Sequence, residues 1–171
     1  MAGNVQVIIR PATPDDASTI FQLIYDLAEY ERLPHMVEAT PEKIRDQLFC
    51  DKPVARAVIA EVREAEDQQP QSVGFALFFN NFSTFLSQPG LYLEDLYVKP
   101  EWRGRGIGKA LLKHLAGIAV ETGCGRFEWS VLDWNQPAID VYKGCGAQIL
   151  EEWRICRVTG NALQTLAEKR S

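Results

Sequence analysis

The 171-residue chain is poor in the residues that most often hold metals or cross-links: it has two histidines and four cysteines. Cys50, Cys124, Cys145 and Cys156 include no Cys-x-x-Cys pair, and His35 and His114 stand alone. Metal-ligand spacing is therefore absent and no metal is expected. The thiols read as reduced, small hydrophobes. No apolar run approaches the roughly 20 residues that a bilayer-crossing helix needs, so no membrane association is expected. Met1 to Arg10 lacks a cationic stretch leading into an apolar one, which speaks against a secretory leader and for a cytoplasmic protein. Positive charge is in deficit, 18 Lys and Arg against 23 Asp and Glu for a net charge of -5. That balance disfavours nucleic acid and suits a cationic small molecule. Repeats and low-complexity tracts are also missing.

What is present is an ordinary globular composition, 46% hydrophobic and 24% charged, at a length that suits one domain spanning 1–171. Val5, Val7 and Ile9 alternate as a first strand that stops near Pro11. Thr13, Pro14 and Asp16 form a helix start, and Ile20, Leu23, Ile24 and Leu27 give the helix one apolar face. Thr40, Pro41 and Glu42 open a shorter helix that runs to about Phe49. Residues 54–62 and 73–79 read as hairpin arms, 83–90 as a loop and 91–98 as an apolar strand interrupted by Glu94 and Asp95. A long helix then runs to about Thr122, followed by a strand over 127–132 and a helix over 135–145 stopped by Gly146. A strand over 153–158 and a last helical turn close the chain. The order β-α-α-β-β-β-α-β-α-β predicts an α/β or α+β sheet covered by helices.

The most informative stretch joins the 91–98 strand to the long helix. Gly104, Gly106 and Gly108 leave backbone N–H groups uncovered at a helix start, where amides and helix dipole together suit a pyrophosphate. Arg103 and Arg105 stand nearby as counter-charges. A nucleoside-triphosphate loop needs Ser or Thr after its lysine and a glycine five residues before Gly108, and the chain has Ala110 and Arg103 there. A dinucleotide turn needs one more spacer and an earlier place in the fold.

With Arg103, Gly106 and Gly108 in an Arg-x-x-Gly-x-Gly run, the chain resembles the GNAT acyltransferases. The likeness extends to residues 9–13, 26–31, 92–95, 131–136 and 140–143, nearly the whole chain, and within the superfamily it is similar to the spermidine/spermine acetyltransferase group, thialysine-acetylating branch. The resemblance implies a mixed, mostly antiparallel sheet of 6–7 strands with a splayed pair, about four flanking helices, acetyl-CoA as cofactor and a homodimer. It also implies that the backbone of Leu96, Tyr97 and Val98 pairs with the acetyl and pantetheine part. Arg103, Gly104, Arg105, Gly106, Ile107, Gly108 and Lys109 would surround the pyrophosphate. Asn135, Gln136, Pro137 and Ala138 would lie along the pantetheine arm, with Tyr142 at the sulfur. Tyr30 and Glu31 match substrate-side positions, with Thr84, Glu94, Glu128, Trp129, Ser130 and Glu151 as further candidates for the amine pocket. Thr84 and Leu86 replace an acidic residue and a tryptophan of the polyamine enzymes, which points away from spermidine.

The chemistry itself follows from acidity. An alkyl ammonium with a pKa of about 10.4 is scarcely nucleophilic at neutral pH until a base removes a proton. Glu94, among Leu93, Leu96 and Val98 and beside Asp95, is the expected base, with burial and like charge raising its pKa and Asp95 structural. Tyr142, two helical turns beyond Asn135, is the expected proton donor to the departing thiolate. A protein lysine or N-terminal acetyltransferase and a non-catalytic acyl-CoA-binding module are the alternatives.

Overall fold

The computed structural model describes residues 6–64 and 68–168; Val5, expected in the first strand, lies outside them. The chain forms two compact units, Met1–Leu132 and Asp133–Ser171.

The first unit contains strands β1 (Gln6–Pro11), β2 (Arg56–Arg63), β3 (Gln71–Ser83), β4 (Gln88–Val98) and β5 (Arg126–Trp129), with helices α1 (Ala17–Tyr30), α2 (Pro41–Leu48) and α3 (Ile107–Glu121). The strands lie in sequence order; the first three pairings are antiparallel and β4–β5 is parallel. A parallel neighbour requires a crossover, and α3 supplies it. Alternation along the strands feeds two layers. Ala57, Ile59, Phe75 and Tyr97 are buried with Ile20 and Leu23 of α1 and Ile44 of α2. The adjacent Leu96 and Val98 turn the other way, toward Gly108 of α3. Phe75 and Phe78, both at most 2% exposed, each contribute roughly 2–3 kcal/mol by burial.

The start of α1 is held from two sides. Thr13 and Asp16 form a reciprocal capping box, and Asp16 accepts both Arg10 terminal nitrogens at 2.7 and 2.8 Å. The same guanidinium reaches Glu61 of β2 at 2.7 Å, so one arginine ties β1, β2 and the helix start together.

The second unit contains α4 (Gln136–Gly144) and α5 (Gly160–Glu168). Asn135 caps α4, its side chain accepting from the Ala138 amide at 3.4 Å, and Tyr142 is the buried residue of that helix.

Three expectations need correction. The described sheet has five strands, not 6–7, and residues 153–158 form no strand: Trp153 and Ile155 are 74% and 69% exposed, so the local alternation has no ladder to join. Among the described residues the α-helices number five, because the last helical turn extends over nine residues as α5. Finally, the 83–90 loop is half strand; only 84–87 turns, since Asn80 to Ser83 pair with Gln88 to Leu91.

Candidate active site

β4 changes its neighbours half-way along. Its pairing with β5 covers only Gly90 to Leu93, so beyond Leu93 the backbone has no ladder partner on that side among the described residues. At the same point the β3 register shifts: Phe78 faces Leu93 and Leu77 faces Asp95, leaving Glu94 as the extra residue of a bulge. Bulges redirect side chains and end pairing. Here the exposed Glu94 and half-buried Asp95 fall at the opening of the splay.

Asp95 sits among like charges. Burial first, then the negative charges of Glu94 and Glu31, push its carboxyl up to about 6. Glu31, at the end of α1, is itself raised by burial. Among the described residues Asp95 has neither an ion pair nor a side-chain hydrogen bond. Glu31, Glu94 and Asp95 thus form an acidic group lacking a cation, an arrangement suited to an incoming ammonium.

The C-terminal end of β4 leads into the glycine run. Gly104 and Gly106 adopt φ of 74° and 81°, a left-handed conformation costly for residues with a Cβ, and Gly106 caps α3. The first amide held within this helix belongs to Ala110, which bonds the Gly106 carbonyl at 2.9 Å. Among the described residues, nothing in the protein accepts from the amides of residues 104–109. A Cβ at Gly104 or Gly106 would meet nothing within 4 Å. The cradle is open and its donors are free, as an anionic diphosphate requires.

The profile of the "Acetyltransferase (GNAT) family" matches residues 20–147. The chain belongs to the GNAT acetyltransferase family. It is 42% identical to the thialysine N-epsilon-acetyltransferase of Bos taurus, over 95% of this chain and 98% of that protein. It is 34% identical to an L-ornithine N5-acetyltransferase of Arabidopsis thaliana, over 92% and 86%. An integron cassette protein from the mobile metagenome of V. cholerae has the same fold, with a TM-score of 0.76, 26% identity and 99% of both chains covered. The family implies an acyl-CoA donor, and the open cradle fits one.

Within this GNAT enzyme the predicted residues separate into groups. Glu31, Glu94 and Asp95 come together, and Tyr30 adjoins them through the chain. Glu128 is already engaged, 2.8 Å from Arg126 and accepting from Asn81 at 3.2 Å. Ser130 bonds the Tyr92 hydroxyl at 2.9 Å, and Trp129 packs on Phe127. Thr84 lies in the β3–β4 turn, about 20 Å of strand from Glu94 by the usual rise per residue. Asn135, Gln136, Pro137, Ala138, Tyr142 and Glu151 belong to the second unit, where Gln136 donates to Asp140 at 2.6 Å.

The raised carboxyl overlooked by the sequence reading is Asp95. Alternation marks one of two adjacent acids as buried, but the bulge that decides which is set by pairing with β3. Arg103 and Arg105, expected beside the pyrophosphate, have ring partners. Both guanidiniums lie over rings, Arg105 over Trp102 at 4.5 Å and Arg103 over Tyr30 and Tyr97 at 4.6 and 5.4 Å. Tyr30, Tyr97 and Arg103 also border an open cavity of about 470 Å³ that includes Asp26, Glu29 and Glu101.

Proposed function

We propose that this enzyme, as one domain over 1–171 in the cytoplasm, transfers an acetyl group from acetyl-CoA to a primary amine of a small molecule. The acceptor is a thialysine- or lysine-like amino acid, with diamines and polyamines as related substrates. The observation that carries this reading is the uncompensated acidic group at the β4 splay, one strand-end away from an open amide cradle. The thialysine- and ornithine-acetylating relatives support the same acceptor class.

When bound, acetyl-CoA supplies an activated acetyl thioester. The amides of Gly104 to Lys109 would hold its diphosphate, and the free edge of Leu96, Tyr97 and Val98 would align the arm, with Asn135 to Ala138 also along it. Glu31 and Glu94 attract the ammonium and orient it. Glu94 assists proton removal, and Asp95 joins it as a base: at about 6 its carboxyl lies about four decades below an amine of pKa about 10.4, two decades closer than an ordinary aspartate. Tyr142 gives the proton that the CoA sulfur needs on leaving. The protein works as a homodimer.

The deciding experiment mixes acetyl-CoA with thialysine, lysine, ornithine, spermidine and a lysine peptide and follows release of free CoA thiol. Turnover should be fastest with thialysine or lysine. Silence with all small amines, or acetylation of the peptide alone, overturns the proposal.

A further inference from the structure

Arg103 is the first residue of the glycine run, and charge alone would assign it to the diphosphate. Its contacts lead elsewhere. The Nε donates to the carbonyl of Val98 at 2.8 Å, which fixes the side chain against the strand it follows. The guanidinium then lies over the Tyr30 ring at 4.6 Å and the Tyr97 ring at 5.4 Å. Tyr97 is buried in the layer formed with α1 and α2, whereas Gly108 of the cradle faces the side chains of Leu96 and Val98 on the other side of β4. Arg103 therefore folds back toward α1, and Tyr30 is the last residue of that helix, next to Glu31.

We infer that Arg103 is a positioning residue that joins the cofactor turn to the acceptor end of α1. Its planar cation clamps Tyr30, and through the adjoining peptide Glu31, to the end of β4 that carries Asp95. This inference rests on the acetyltransferase reading above and assigns a role within the same site. A planar guanidinium is needed for it: only Arg combines an Nε donor directed to a carbonyl with a flat face that two rings can meet, while the lysine ammonium is a point charge on a flexible stem. A phosphate contact has the opposite requirement, because lysine also satisfies a phosphate.

The test uses the full chain with Arg103→Lys, Arg103→Gln and Tyr30→Leu. Calorimetric titration with CoA reads cofactor affinity without turnover, and steady-state rates with thialysine read the acceptor side. The expected result is a CoA Kd within about three-fold of wild type in all three variants. In the same variants kcat/KM for thialysine should fall by on the order of ten-fold, mostly through KM. Lysine should rescue no better than glutamine. The double variant Tyr30→Leu/Arg103→Lys should lose no more than the worse single variant, since both remove one clamp. A CoA Kd weakened ten-fold or more by Arg103→Gln and restored by Arg103→Lys overturns the inference in favour of a phosphate contact. Additive losses in the double variant overturn it as well, and if Arg103 variants do not fold, Tyr30→Leu without the KM change does the same. A wild-type protein that binds CoA but acetylates no amine is a separate outcome, and it defeats the functional reading itself.

Discussion

Asp95 holds an unusual charge where the backbone makes room for it. Its carboxyl is held at about 6, above the ordinary 3.8, by burial and by Glu94 and Glu31. The folded state thus binds this proton more tightly than the unfolded chain. The associated stability is fully present below about pH 4 and is lost as pH rises through about 6. Ionised Asp95 is therefore a strain on the fold at the pH where it serves as a base, a cost of about 3 kcal/mol. Asp95→Asn should raise Tm at pH 8, with the gain vanishing near pH 4, while kcat falls by roughly a hundred-fold or more. Thermal unfolding at the two pH values, run beside the thiol-release assay, checks both halves. An Asn variant less stable than wild type at pH 8 would contradict the placement of this carboxyl among like charges.

At the scale of elements, α1 matters because its two ends have different duties. Its start is anchored by Asp16, whose carboxyl is lowered to about 2, chiefly by its hydrogen bonds from Arg10 and further by those of Thr13. Here the sign is reversed: the stability is present above about pH 4 and lost as pH falls through about 2. Asp16→Asn should cost on the order of 2 kcal/mol at pH 7 and flatten the acid limb of stability between pH 4 and 2, as read by urea unfolding. If the variant unfolds at the wild-type urea midpoint at pH 7, the anchor carries no weight. The far end of α1, with Tyr30 and Glu31, should keep its shape only if this start is held. The Thr13, Pro14 and Asp16 cap was legible in the sequence, because capping chemistry is local. The partners Arg10 and Glu61 were not, since β1 and β2 meet only through an antiparallel register 51 residues apart.

At the scale of the whole molecule, the C-terminal unit leaves Trp153, Ile155 and Leu166 at 74%, 69% and 60% exposure. The proposed homodimer would cover them. Sedimentation at micromolar concentration should give a two-chain particle, and Trp153→Glu with Ile155→Glu should convert it to single chains. A wild-type particle of one chain rules the dimer out. Among the described residues no helix is long and apolar enough to cross a membrane.

Local chemistry was enough for the helix starts, for strands over 54–62 and 73–79, close to the observed 56–63 and 71–83, and for the glycine run before α3. Each depends on near neighbours: a cap, an alternation, a missing Cβ. Packing between distant segments set the rest: that burial and like charges raise the Asp95 carboxyl, that Arg103 turns to Tyr30, and that Glu128 is spent on Arg126 and Asn81. Those outcomes depend on strand register, on where β5 stops pairing with β4, and on which rings lie within reach of a cation. Such distances are set by packing between segments far apart in the chain, and no local pattern of residues encodes them.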